Sequence, residues 1–400
     1  MLRFKNDDGS EFPEWEEHEI AELIQLYNEK VSSDCQLPIL TSSKKNGIEY
    51  QEEHFTGKQR HDIEGYNVLP RNYCTYRNRS DGTDFTFNIN KLCDKGIVSK
   101  FYPVFKEKDC DLFFLVSLLN NERKTVRKIA YTAKGTGQKV LSITDLRNIT
   151  VNMPSLPEQQ KIAEFLSTID TVIEKQKETV SAWEERKKGV MQKLFSQEVR
   201  FKADDGSEFP EWEEKKIDDV ATCFAGATPS TKIPEYWEEG TIRWMSSGEV
   251  NNGQIHDTEK RISQLGFDKC STKMVKPNSV VMALAGQGKT RGMVAITRVP
   301  LCTNQSLCAI ETNDDICDDY LYQYLQTQYN NLRLISSGDG TRGGLNLKLV
   351  GGYVVVVPCL AEQQKIADCL SSLDEVIEKQ KATLAAWEEL KKGLLQQMFV

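Results

Sequence analysis

Two stretches of this 400-residue chain are written twice, and a reading that overlooks an internal repeat misassigns the whole architecture. Residues 3–17, RFKNDDGSEFPEWEE, return at 200–214 with a single difference. A longer segment, LPEQQKIAEFLSTIDTVIEKQKETVSAWEERKKGVMQKLF at 156–195, returns as LAEQQKIADCLSSLDEVIEKQKATLAAWEELKKGLLQQMF at 360–399, with about two-thirds of its positions identical. The inserts between these copies, roughly 18–152 and 215–356, share hardly any sequence. Duplication and drift would yield two diverged domains, but drift does not keep a frame near-identical while erasing what it encloses.

The long repeat reads as helix. Apolar or core-tolerant residues recur at alternating steps of four and three: Ile162, Leu166, Ile169, Ile173, Gln176, Val180, Trp183, Val190 and Leu194. The second copy gives Ile366, Leu370, Leu373, Ile377, Gln380, Leu384, Trp387, Leu394 and Met398. This spacing is a coiled-coil seam, and it places Trp183 and Trp387 in the packed interface. Pro157 sits in the first turn, where proline is tolerated. About 39 residues at 1.5 Å each span about 58 Å. Two such helices separated by a globular insert pair most economically with each other, antiparallel, around a pseudo-twofold axis. A dimerisation or scaffold coiled coil is the alternative that spacing alone leaves open.

At this length the chain exceeds a single core, and no apolar run approaches the roughly 20 residues that cross a bilayer. The first residues lack the features of a secretory signal, so a cytoplasmic location with no membrane partner is expected. Eleven cysteines without a CxxC pair, and only four histidines, supply no zinc site and read as reduced, mostly buried thiols. The net charge of −8 is unevenly spread. Residues 18–152 carry 20 Lys+Arg against 17 Asp+Glu, residues 215–356 carry 15 against 15, and the remainder holds 16 against 27. The inserts are neutral to basic, and local charge is what a polyanion meets.

The LPEQQKIA start, LSxxDxxIEKQK middle and LKKGLLQQMF-like end, twice in one chain around two dissimilar inserts, resemble the DNA-specificity subunits of type I restriction-modification systems over essentially the whole length. The second insert adds GATPS at 226–230, Tyr236, Trp237, Trp244, Gly248, KPNSVVMALAGQGKTRGMVAI at 276–296, Asn304, Gln305, Ser306 and GTRGGLNL at 340–347. In the first, GIVSKFYPVF at 96–105 resembles another common class of insert. The resemblance implies a mixed α/β (α+β) fold, with two target recognition domains joined by a pair of long antiparallel coiled-coil helices in a pseudo-twofold repeat. Its expected boundaries are 1–155 for the first recognition domain, 156–198 for the first spacer helix, 199–359 for the second domain and 360–400 for the second helix.

It also implies a non-catalytic subunit that reads a split, asymmetric site on double-stranded DNA. Half-sites set about one helical turn apart suit such a twofold frame. The partners implied are methylation subunits, two copies expected, and a restriction/translocase subunit. S-adenosylmethionine, ATP and Mg belong to those partners, and no cofactor is expected on this chain. Contact with partners is expected on exposed Glu and Lys of the helices and on FPEW at 12–15 and 209–212.

In the first insert, Lys44, Lys45, Lys58, Arg60, Arg71, Tyr76, Arg77 and Arg79 mix cations with aromatics, which suits phosphate neutralisation and reading of guanine edges. A solvated surface explains any one of them equally well. Arg123, Lys124, Arg127 and Lys128, at helical spacing after the apolar run 112–119, read as a solvated helix face. Each insert closes on a glycine-rich segment, 134–139 and 337–344, where small residues allow close backbone approach and Lys134, Lys139 and Arg342 add charge. Turn formation alone would also account for those glycines. In the second insert Thr228, Ser230, Lys289, Arg291, Asn304 and Gln305 complete the candidate DNA-binding set.

ALAGQGKT at 283–290 imitates a phosphate-binding loop but has Ala at its first glycine position and precedes MVAI, which reads as strand rather than helix. A polar hairpin presenting Lys289 and Arg291 is expected instead. No Asn/Asp-Pro-Pro-Tyr/Phe motif is present, and the four histidines lack nucleophile context. No catalytic or metal site is expected. The competing classes are a coiled-coil scaffold without DNA specificity and a fused methyltransferase-nuclease component.

Overall fold

The computed structural model describes residues 2–54, 62–286, 289–336 and 344–399. Lys58, Arg60 and Arg342 lie outside the described residues. The chain divides into two compact units, Met1–Lys177 with Ala382–Val400, and Glu178–Lys381. Each cut falls inside one of the long helices, Leu156–Phe195 and Leu360–Met398, so each unit owns the start of one helix and the end of the other.

In the first unit the repeated segment enters as strand Glu16–Glu19, antiparallel to Thr150–Met153, the strand that leads into the first long helix. A four-stranded antiparallel sheet follows in the order Ile24–Tyr27, Val104–Glu107, Cys74–Tyr76, Phe87–Ile89. The apolar run 112–119 becomes helix Leu112–Asn121, capped by Asp111, whose carboxylate accepts from the Phe114 amide at 2.8 Å. Phe105, Phe114, Leu115 and Leu118 share one core with Ile162 and Leu166 of the first long helix and Met398 and Phe399 at the end of the second.

The second unit repeats this frame and changes its contents. Glu213–Lys216 pairs antiparallel with Val354–Val357, a run of four valines that leads into the second long helix. Enclosed are a five-stranded sheet, Ala221–Ala225, Leu307–Thr312, Val280–Ala283, Val294–Thr297 and Gln254–Ile255, and a four-stranded one, Lys260–Ile262, Ile242–Met245, Leu301–Thr303 and Met274–Val275. Two of their ladders are parallel, so the fold is mixed. Met191 and Leu194 pack with Ile366, Ala367 and Leu370 in its core.

In each unit, therefore, the start of one long helix lies antiparallel to the end of the other. A polar pair marks the register. Lys391 Nζ lies 2.5 Å from Asp170 in the first unit, and Lys187 Nζ lies 2.7 and 2.9 Å from the two oxygens of Asp374 in the second. Trp183 and Trp387, expected in the packed interface, are only half-buried, and the Arg186 guanidinium lies 5.2 Å from the Trp183 ring.

The near-identical residues of the repeat hold the frame together. Arg3 and Arg200 each engage a carboxylate in the first turn of a long helix, Glu158 and Glu362, both fully buried. Lys161 and Lys365 reach back to the carbonyls of Lys5 and Lys202 and to Asp7 and Asp204. Gln159 and Gln363 accept from the amides of Asp111 and Cys317, which open the insert helices. The FPEW segments turn their aromatic rings inward and leave Pro13, Glu14, Pro210 and Glu211 exposed. Phe12 is buried, and Trp15 packs edge-on against Phe114 and Trp212 against Tyr320. All eleven cysteines are free; Cys74, Cys110, Cys302 and Cys308 are buried and the other seven half-buried, fewer in the core than their count suggests.

Candidate nucleic-acid interface

In the second unit four segments far apart in sequence meet on one edge. Gly226 ends the strand Ala221–Ala225 so close to the neighbouring turn that a β-carbon there would lie 1.9 Å from the Thr303 carbonyl oxygen. Glycine is therefore a packing requirement at this position. Beyond it, the Thr228 hydroxyl donates to Gln305 Oε1 at 2.5 Å, and Trp244 and Trp237 hold the segment by donating their indole N–H groups to the carbonyls of Ala227 and Ser230 at 3.0 and 3.2 Å. The Asn304 amide donates to the Met245 carbonyl at 3.1 Å, Leu284 to Ser306 at 2.9 Å and Leu345 to Leu284 at 2.9 Å. Thr228, Ser230 and Gln305 are exposed on this edge, and Asn304 half-exposed.

The strands flanking 283–290 form the expected hairpin; Gln287 and Gly288 lie outside the described residues. Val280–Ala283 returns antiparallel as Val294–Thr297, and no helix follows on which a phosphate would sit. Lys289 is exposed, its carbonyl accepting from the Tyr329 hydroxyl. Arg291 corrects the expectation. Its side chain is 8% exposed, drawn inward where Gly292, at φ +82°, turns the chain back into the strand.

The first unit gathers cations around a different edge. Strand Arg79–Ser80 pairs with Lys139–Val140, setting Arg79 opposite Val140 and Lys139 opposite Ser80. Gln138 donates to Asp81 at 3.1 Å, and Lys44, on the turn between strands Leu40–Ser43 and Gly47–Tyr50, reaches Asp84 at 2.7 Å. Asn88 ties that hairpin to the sheet by donating to Ser42 and to the Ser43 carbonyl. Lys45, Arg77, Arg79 and Lys134 are exposed and Lys139 half-exposed; Lys134 pairs with Asp145, whose carboxyl is held below its ordinary range first by Lys134 and then by Ser142.

Arg71 is committed elsewhere, to Asp94 and the Lys91 carbonyl. Tyr76 is a second correction. It is fully buried in the four-stranded sheet, its ring tilted against Phe87 with centroids 4.8 Å apart, and its hydroxyl donates to the Leu141 carbonyl. Two cations missed in the sequence lie against aromatic rings at these edges. Lys100 shares the Phe101 ring with Arg79, whose guanidinium sits 4.0 Å above it, and Lys273 lies 5.4 Å from Phe224. Lys100 falls within GIVSKFYPVF and was legible there; nothing local marks Lys273.

Among the described residues no group of three or more His, Cys, Asp or Glu is arranged to hold a metal ion. No helix among them is long and apolar enough to cross a membrane.

A repeated frame holding two dissimilar polar edges is the construction of a two-headed recognition protein. The family described as "Type I restriction modification DNA specificity domain" matches residues 14–181 and again 210–386, and this chain belongs to that family. The type I restriction enzyme MjaIX specificity subunit of Methanocaldococcus jannaschii is 31% identical over 211 residues, 52% of this chain and 48% of the relative. The MjaVIII specificity subunit of the same organism is 26% identical over 321 residues, 76% and 73% of the two chains. The chain thus spans about half of the first relative and about three-quarters of the second. An S subunit of a type I restriction-modification system from M. genitalium shares the fold, with a TM-score of 0.62 and 17% identity over 100% of this chain and 98% of that one.

Proposed function

We propose that this chain is the specificity subunit of a type I restriction-modification complex, each unit reading one half of a bipartite, asymmetric DNA site. The reading is carried by the convergence of Thr228, Asn304, Gln305 and the Lys289 hairpin on one exposed edge of the second unit. Amide and hydroxyl groups of this kind reach base edges, and the glycine at 226 lets the backbone that carries them lie close. The first unit offers Arg77, Arg79, Lys134 and Lys139 instead, which suit phosphates and guanine. Different surfaces on the same frame suit a target whose halves differ.

The chain performs no chemistry in this reading. Methylation subunits, two copies for the two copies of the frame, carry S-adenosylmethionine and modify adenine. A restriction/translocase subunit brings ATP and Mg, and the complex works in the cytoplasm. Exposed Glu and Lys of the long helices are the docking groups.

Co-expression with cognate methylation subunits, followed by mapping of N6-methyladenine across the host DNA, tests the reading. The expected result is a split motif with a fixed gap. A stable complex that methylates nothing would leave the chain a scaffold.

A further inference from the structure

We infer that the outer face of helix Arg123–Thr132 is a phosphate-contacting ridge that extends the DNA interface of the first unit beyond the Arg79–Lys139 ladder; this rests on the DNA reading above. The helix starts at Glu122, whose buried carboxylate accepts from the Thr125 amide at 2.9 Å, and it buries Thr125 and Ile129. At 100° per residue the opposite side carries Arg123, Lys124, Arg127, Lys128 and Tyr131, all exposed, over about 12 Å of rise.

Lys128 is tied inward to Thr150 and lies 3.8 Å from Glu17. Arg123, Lys124 and Arg127 have no ion-pair partner among the described residues, and the helix itself contains no acidic residue. Cations three and four apart repel one another along this face. The long helices treat their surface charges differently, pairing them at i,i+3 as in Lys177 with Glu174 and Lys392 with Glu389.

Within this one-sign face Tyr131 stands 88% exposed, a ring with a hydroxyl donor held out to solvent. Three residues further on is Lys134, at the edge already assigned to DNA, and its amide and carbonyl both bond to Val140 of the ladder. A polyanion running past Arg79 and Lys139 would thus meet Lys124 and Arg127 as a continuation of the same charge, with Tyr131 donating between them. The helix that precedes the second unit's glycine-rich segment carries no such ridge. This helix, Tyr329–Ile335, exposes Leu334 at 82%, and its one cation, Arg333, donates to the Tyr329 hydroxyl and the Arg291 carbonyl.

The test uses the full chain in complex with its methylation subunits and a labelled duplex carrying the mapped split site, with affinity measured between about 50 and 300 mM salt. Each phosphate contact contributes about 0.9 to the slope of log affinity against log salt. The double variant Lys124→Gln/Arg127→Gln should be shallower by about two, with the methylated sequence unchanged, and each single variant by about one. Tyr131→Ala should weaken binding without altering the parent slope. The single variants decide the matter if the double variant does not fold.

Parent slopes in the Lys124 and Arg127 variants would overturn the ridge while leaving the DNA reading standing. So would loss of a methylation subunit on size exclusion at an unchanged slope, which would assign the face to a protein partner. A parent complex with no salt-dependent duplex binding would overturn both, and it is distinguished by the parent measurement alone.

Discussion

Arg3 holds Glu158 through two hydrogen bonds, Nε to Oε1 at 3.1 Å and Nη2 to Oε2 at 2.9 Å, across 155 residues of sequence. Arg200 holds Glu362 in the same way at 3.1 and 2.8 Å. In the second unit the Trp212 indole also donates to Glu362, at 3.0 Å, whereas the Trp15 indole nitrogen is buried with no hydrogen-bond partner among the described residues. Removing one partner of a buried pair strands the other charge, at about 3–5 kcal/mol.

Arg3→Ala should therefore destabilise its unit more than Arg200→Ala destabilises the other, because Glu362 keeps a donor. A hydrogen bond to a charged group is worth roughly 1.5–3 kcal/mol, which sets the size of the difference. Urea unfolding of each variant measures it, and equal losses would show that the Trp212 contact contributes nothing. Arg3→Lys should not restore stability, since an ammonium cannot span both oxygens.

The two seam pairs separate by burial. The Lys187 side chain is 10% exposed and Asp374 18%, and Gln323 also donates to Asp374 at 2.7 Å; Lys391 and Asp170 are 32% and 34% exposed. Lys187→Met should cost roughly 3 kcal/mol and Lys391→Met about 1 kcal/mol or less, with the smaller loss fading as salt rises. Thermal melts at low and high salt check both, and Lys187→Met/Asp374→Leu should recover most of the first loss.

These pairs also mark where the sequence stopped being legible. The heptad run named Trp183 and then Val190, stepping over Lys187 because a lysine does not look like a seam residue; its partner Asp374 comes from the other copy of the repeat. The frame was readable because both copies carry it, down to the Glu and Lys of each helix's first turn. Tyr76 was misjudged because its neighbours Arg77 and Arg79 are exposed, while the strand it closes lies between two others. The convergence of 226–230 with 304–306 is made by the pairing of strand Ala221–Ala225 with Leu307–Thr312 and by side-chain bonds from Thr228, Trp237 and Trp244, and no local pattern encodes it.

Burial raises the Cys110 thiol from 9.0 to about 12 and the Cys302 thiol to about 11. Both stay protonated in the folded chain at pH 8 and should resist a thiolate-specific reagent, while half-buried Cys35, Cys93 and Cys270 react. For a thiol raised on folding, the stabilising contribution is complete below the ordinary value and lost as pH climbs through the folded value. Stability should accordingly decline between about pH 9 and 12. Timed labelling with mass spectrometry checks the first point, and rapid modification of Cys110 at pH 8 would refute it.

Gly226 gives the most direct test of the second unit's edge. Alanine there would put its β-carbon 1.9 Å from the Thr303 carbonyl oxygen and 2.4 Å from its hydroxyl, so the 226–230 segment has to move away from the 303–305 turn. Such overpacking costs roughly 1–3 kcal/mol, a loss the unit's buried core should survive. The hydrogen bond from Thr228 to Gln305 would open, and the four segments would no longer share one edge. Gly226→Ala should then abolish or relax the half of the methylated motif read by the second unit while the complex still assembles. Methylation mapping beside size exclusion measures both. An unaltered motif would mean that the edge built on Gly226 does not touch the bases.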